Sequence, residues 1–156
     1  MAKIETLEEL KCWQSARELT REIYRLCSTD PLASDYRLSS QLTRAAVSSM
    51  TNIAEGFARY HRGDFVRFLD IAQSSAAEVK SLLYIVGDLQ YASPERVKAL
   101  QNLCDKTQGL TLGLLRHVKR RQQATNQTRE SPPTYQVSES TSLLSLPDAH
   151  TVPPMN

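Results

Sequence analysis

Apolar residues recur at intervals of three and four over most of the chain, the period of a helix with one face in a core. Four such stretches are predicted within residues 1–123. The first covers about residues 6–28, with Thr6 as its N-cap and Glu8 and Glu9 in the first turn, where carboxylates suit the helix dipole. Its apolar stripe is Cys12, Ala16, Leu19, Ile23, Leu26 and Cys27, and Ser28-Thr29-Asp30-Pro31 ends it because proline cannot continue the ladder. The third starts near Gly63-Asp64 and reaches about Leu89 on Phe65, Phe68, Leu69, Ala72, Ala76, Val79, Leu83 and Val86. Its Ser74-Ser75-Ala76-Ala77 run is small enough to admit a neighbouring helix closely. The fourth opens on Ser93-Pro94-Glu95, which reads as N-cap, first helical position and first-turn acid. It carries Val97, Leu100, Cys104, Thr111, Leu115 and Val118. Gly109 and Gly113 cost it about 1 kcal/mol each relative to Ala, which fits either a close helix contact or local weakness.

The second helix, about residues 36–59, is patterned differently. Leu38, Leu42, Ala45, Ala46, Ser49, Ile53 and Phe57 form one face, and Thr43, Val47, Met50, Ala54 and Ala58 a second. A helix buried on one side needs a single apolar arc. Two arcs imply a second partner, inside the bundle or in another copy of the chain. Between them runs a polar row that includes Arg44, Ser48, Asn52, Glu55 and Arg59, spaced by four, four, three and four. One reading is a recognition surface. The favoured one is a partly desolvated hydrogen-bond network, with Glu55 neutralising Arg44 or Arg59 and Asn52 fixing register.

From about Ala124 the pattern changes in kind. Ten Ser or Thr, five of the seven prolines and no glycine fill residues 124–156. Such a segment is expected to be a disordered tail, because it cannot bury enough apolar surface to offset ordering entropy. Leu143-Leu144-Ser145-Leu146 is its one apolar spot, a docking peptide or nothing specific. Four helices of similar length with short connections point to an all-α, antiparallel up-down-up-down four-helix bundle over 1–123, followed by that tail.

Composition narrows the function. Five glycines and three phenylalanines in 156 residues argue against an all-β sandwich. No run of eighteen apolar residues and no apolar leader after Met1 occur, so neither a membrane span nor a secretory signal is expected. Cys12, Cys27 and Cys104 are scattered at apolar helical positions, which fits a reduced, cytoplasmic protein. His61, His117 and His150 have no partners at metal-ligand spacing, and there is no phosphate loop, nucleophile elbow or paired Glu-x-x-His. The expectation is a protein that is not an enzyme and uses no metal or cofactor. Arg62-Gly63-Asp64 spells an adhesion tripeptide, read as coincidence at a helix start.

Charge is unevenly spread. Residues 1–123 hold 18 Lys and Arg against 14 Asp and Glu, and residues 124–156 one Arg against three acids. Arg outnumbers Lys 13 to 6, which mildly favours planar contacts to phosphate or carboxylate over simple solvation. Three groups stand out: Arg17, Arg21 and Arg25 beside Tyr24; Arg59-Tyr60-His61-Arg62 with Arg67; and Arg116, Lys119, Arg120 and Arg121 around His117. The second and third are expected at opposite ends of the bundle, hence not in one patch. Arg beside Tyr suits RNA, by stacking and phosphate contact. The rival reading is a protein-interaction scaffold whose arginines form ion pairs.

Residues 38–72 carry a recognisable pattern. Leu38-Ser39-Ser40-Gln41-Leu42-Thr43-Arg44-Ala45-Ala46-Val47-Ser48-Ser49 leads into Asn52-Ile53-Ala54-Glu55-Gly56-Phe57-Ala58-Arg59, and Phe65-Val66-Arg67-Phe68-Leu69-Asp70-Ile71-Ala72 follows. Over about residues 7–118 the chain resembles the bacterial four-helix-bundle family of 23S ribosomal RNA intervening-sequence proteins, encoded by insertions in large-subunit rRNA genes and elsewhere. That family is similar in fold to the accessory variability protein of diversity-generating retroelements. The resemblance implies a homopentamer around a central channel. For the retroelement relatives it implies a basic protein that binds nucleic acid and a reverse transcriptase; the intervening-sequence members have no established biochemical role. Carried over by position, Arg44, Asn52, Glu55 and Gly56 are motif residues of packing or of ligand contact. Ala58 stands where the family often has a second glycine.

Overall fold

The structure, a computed structural model, describes residues 4–59 and 61–130, with side chains through residue 127. Helices α1 (Lys11–Cys27), α2 (Tyr36–Ala58), α3 (Arg62–Asp88) and α4 (Pro94–Glu130) form the expected antiparallel bundle, each packed on two neighbours. No strand occurs among the described residues. Side-chain caps open two of the helices, at Ser93 as the sequence indicates and at Asp35, which the sequence reading does not single out. The Asp35 carboxylate accepts the Leu38 N–H at 3.1 Å and opens α2, and the Ser93 hydroxyl accepts the Arg96 N–H at 3.2 Å and opens α4.

Two boundaries differ from expectation. The first helix does not start at Thr6. A 3-10 turn, Leu7–Glu9, comes first, and Leu10 breaks the path with extended dihedrals (φ −69°, ψ 112°). The break turns Leu10 into the core, where it is 3% exposed. Glu9 closes the turn by accepting the Glu5 and Thr6 N–H groups. At the other end, α4 does not stop near 123. It runs seven residues into the segment assigned to the tail, because 119–130 contain neither Gly nor Pro and are rich in good helix formers. Residues 131–156, including Leu143-Leu144-Ser145-Leu146 and His150, lie outside the described residues.

The core is two clusters rather than one. The upper joins Leu19, Ile23, Leu42, Leu83, Leu100 and their neighbours beneath the α1–α2 and α3–α4 connections. The lower joins Leu10, Cys12, Ala16, Ile53, Leu69, Ala72, Leu115 and Val118 around the α2–α3 turn. Between them lies a waist of buried hydroxyls. Ser15 and Thr107 share a hydrogen bond of 2.8 Å, Thr111 donates to the Thr107 carbonyl, and Ser49 is fully buried with no partner for its hydroxyl.

Helices α2 and α3 approach closely at Gly56, where an added Cβ would stand 2.8 Å from Phe65 Cδ2 and 2.9 Å from Phe68 Cβ. Gly109 and Gly113 are the opposite case: nothing lies within 4 Å of a Cβ at either. Close helix contact within the chain is therefore not the reason for these two glycines.

Candidate nucleic-acid interface

The polar row of α2 divides by size. Asn52 donates to the Ser48 carbonyl (2.8 Å) and hydroxyl (3.1 Å), Ser48 meets the Ser75 hydroxyl at 2.9 Å, and Ser75 donates to the Ile71 carbonyl. This relay ties α2 to α3 through the small residues of α3. The charged members stay outside it: Arg44, Glu55 and Arg59 are exposed, and Glu55 pairs with Arg59, not Arg44. Arg59 also stands over the Phe68 ring, 5.2 Å from its centroid. The row thus holds a half-buried network at Ser48 and Asn52, with Gly56 making room for α3. The second apolar arc is only half covered: Thr43, Val47, Met50 and Ala54 are half-buried and Ala58 exposed.

The cationic groups are arranged otherwise than expected. Arg62 Nη1 donates to the Thr125 hydroxyl at 2.9 Å and to the Arg121 carbonyl at 3.3 Å, and Gln122 lies against Gly63. The α2–α3 turn and the last third of α4 therefore share one end of the molecule. The expectation of opposite ends is overturned for a topological reason. In an alternating bundle the second and fourth helices run the same way, so both finish where the third begins.

Several other cations are paired, but among the described residues Lys11, Arg17, Arg37, Arg44 and Lys98 are also exposed and without an ion pair, so it is clustering rather than pairing that marks the shared end. Glu22 collects Arg21, Arg25 and Arg96, and its carboxyl is held below the usual carboxylate range chiefly by the hydrogen bond from Arg96. Lys80 pairs with Asp105 and Lys106 with Glu18. Arg17 lies over the Trp13 ring at 5.7 Å. Arg17 and Arg21 thus belong to the exposed face of α1, Arg17 beside Trp13 at the lower core and Arg21 beside Glu22. Among the described residues, Arg62, Arg67, Arg116, Lys119, Arg120 and Arg121 are all exposed and make no ion pair, although Glu8, Glu9, Asp64 and Asp70 belong to the same end. Gly113, Arg116, Lys119 and Arg120 line a shallow depression on α4. Tyr60 lies outside the described residues. Thr125 and Asn126, which the sequence reading places in the tail for want of apolar periodicity, carry the helix onward from the cations after Gln122 and Gln123.

The three thiols do not resemble reactive groups. Burial pushes Cys12 and Cys27 up to about 11 and Cys104 up to about 12, so the thiolate is scarce near neutrality. No group of three His, Cys, Asp or Glu side chains suited to a metal ion occurs among the described residues, and no helix there is long and apolar enough to cross a membrane.

Comparison with known proteins agrees with this architecture. The chain superposes with a TM-score of 0.62 on a crystal structure of a protein of unknown function from the S23 ribosomal protein family of Bacteroides thetaiotaomicron, at 21% identity over 67% of this chain and 97% of that one. No curated protein matches the chain. The profile of the 23S rRNA-intervening sequence proteins matches residues 8–113, taking in all of α1 to α3, the Asn52-Ile53-Ala54-Glu55-Gly56 segment and half of α4. On that match, the chain belongs to the 23S rRNA-intervening sequence protein family.

Proposed function

We propose that the protein is a non-catalytic, cytoplasmic bundle that binds structured RNA through the end where the α2–α3 turn meets the last third of α4. The observation that carries this reading is the convergence of Arg62, Arg67, Arg116, Lys119, Arg120 and Arg121, exposed and without ion pairs among the described residues. Unpaired arginines have no acid to neutralise them and suit the fork geometry of phosphate contacts. Arg21 and Arg59, already held by Glu22 and Glu55, contribute less. The retroelement resemblance extends the proposal to an accessory role beside a reverse transcriptase.

The half-covered arc of α2 supports a second, compatible proposal: the bundle associates with copies of itself, in the pentamer that the family resemblance implies. Val47, Ala54 and Ala58 on α2 and Ile71, 37% exposed on α3, leave apolar surface for such a contact. Light scattering at micromolar concentration reads the mass directly, and a monomer sinks this part.

The RNA proposal is tested by fluorescence anisotropy with a labelled, folded RNA between 50 and 200 mM salt. Affinity is expected to fall linearly in log–log terms as salt rises. Arg116→Glu with Arg120→Glu should abolish binding while leaving helicity unchanged, and Arg17→Gln with Arg21→Gln should leave affinity within a small factor. No affinity at the lowest salt overturns the proposal.

A further inference from the structure

The proposed RNA site also indicates which kind of RNA it takes. Resting on that reading, we infer that the occupant is double-stranded RNA, held through its phosphates and 2′-hydroxyls rather than by stacked bases. Three features of α4 carry this.

The first is what the helix lacks. Residues 94–130 contain no Phe, Tyr or Trp. Single strands are gripped by aromatic faces on which successive bases stack. Among the described residues the exposed aromatics Tyr24, Tyr36 and Tyr84 stand on other helices, and Phe57, Phe65 and Phe68 are half-buried between α2 and α3; Tyr60, in the α2–α3 turn, lies outside the described residues.

The second is the order of side chains on its outer face. Gly109, Gly113, Arg116, Arg120 and Gln123 step by four, three, four and three, which puts them in one row opposite the buried Leu115 and Val118. All five are exposed, and Lys119 and Asn126 flank the row. The guanidinium groups supply phosphate contacts. Gln123 and Asn126 add side-chain amides, which both donate and accept, as a 2′-hydroxyl requires. At the glycines a sugar–phosphate backbone comes nearer the helix axis than any side chain would permit.

The third is reach. After Val118, the last residue of the lower core, α4 continues for twelve residues, roughly 18 Å at about 1.5 Å per residue. The hydrogen bonds from Arg62 tie it to α3 as far as Thr125. Such an extension offers a line of contacts to a regular helix, and the depression beside Gly113 and Arg116 is too shallow to enclose a single strand.

The test uses the full chain and three probes of one length: a mixed-sequence RNA duplex of about 20 base pairs, longer than the ~16 that shape-reading modules cover, the DNA duplex of the same sequence, and oligouridylate. The RNA duplex should bind about tenfold more tightly than either alternative at fixed salt, and a shuffled duplex should bind equally well. Gly113→Leu and the pair Arg116→Gln with Arg120→Gln should each weaken duplex binding by about tenfold while helicity is kept and melting holds or, for Gly113→Leu, rises. Oligouridylate binding as tightly as the duplex overturns the inference and leaves the RNA proposal standing. Equal affinity for DNA overturns the assignment to RNA duplex. If Gly113→Leu changes the mass of the assembly with RNA affinity intact, the row is a contact between copies and the inference fails. No binding to any probe defeats the underlying proposal instead.

Discussion

The Arg62 guanidinium, at the first turn of α3, donates to the Arg121 carbonyl fifty-nine residues later, and to the Thr125 hydroxyl one helical turn beyond. This is a fold-level tie between two exposed segments whose own apolar contacts are few. Arg62→Ala should therefore leave global stability within about 1 kcal/mol, since an exposed hydrogen bond contributes little. Its effect is local: amide hydrogens of 121–127 should exchange several-fold faster. Unchanged exchange there would show that α4 stands without the tie.

Glycine-to-alanine changes should have opposite signs along the chain. Gly56→Ala puts a Cβ 2.8 Å from Phe65 and 2.9 Å from Phe68, so α2 and α3 must part, at a cost of roughly 1–3 kcal/mol. Gly109→Ala meets nothing within 4 Å and should stabilise by up to about 1 kcal/mol through helix propensity alone. Urea denaturation of the two variants reads both. A stabilised Gly56→Ala would refute the close approach of α2 and α3.

Ser49 is fully buried in the waist and its hydroxyl has no partner. A buried unsatisfied hydroxyl carries a desolvation penalty of roughly 1–3 kcal/mol, and alanine removes it at the loss of one small atom. Ser49→Ala is expected to raise stability by about 1 kcal/mol. A loss of that size in a denaturant midpoint would mean the hydroxyl is satisfied in solution.

Glu22 gives stability a pH dependence of known sign. Its folded carboxyl is held below the usual range, first by the hydrogen bond from Arg96, so the folded state binds fewer protons than the unfolded one in the acid limb. The contribution is whole above the unfolded value of about 4.3 and disappears as pH falls through the folded value. Denaturation midpoints should drop below about pH 5, and Glu22→Gln should drop less steeply. Parallel slopes for the two proteins would remove Glu22 from the account.

Helix positions were legible because apolar side chains recur at helical spacing along each helix and Ser93 marks the start of α4, whereas α1 and α3 start after Leu10 and His61 with no side-chain cap. The family pattern was legible for a related reason: Asn52, Gly56 and Ser48 are tied to a packing geometry that tolerates few alternatives. What escaped is tertiary or aperiodic. Leu10 looks like one more apolar position, yet it breaks the helix path. Ala124 through Glu130 carry no apolar period, so only the absence of Gly and Pro speaks for the helix that they form. Neither Glu55 nor Glu22 states in sequence which arginine it will take. The shared end of the cationic groups follows from helix direction, which local pattern does not contain.

The hydroxyl waist has a consequence for how the molecule comes apart. Among the described residues the upper cluster gathers fifteen buried side chains and the lower eight, the lower relying more on half-buried ones such as Trp13, Phe57 and Phe65, so the lower lobe is expected to have the lower local stability. Cooperative opening units follow such seams, and the smaller lobe is expected to open at the lower free energy. That lobe is also the one bearing Arg62, Arg116 and Arg120. A ligand that binds only the closed form adds its binding free energy to the opening cost of whatever it touches. Occupancy of the cationic end would thus act as a clamp on the weaker half, evening out the protection of the two lobes.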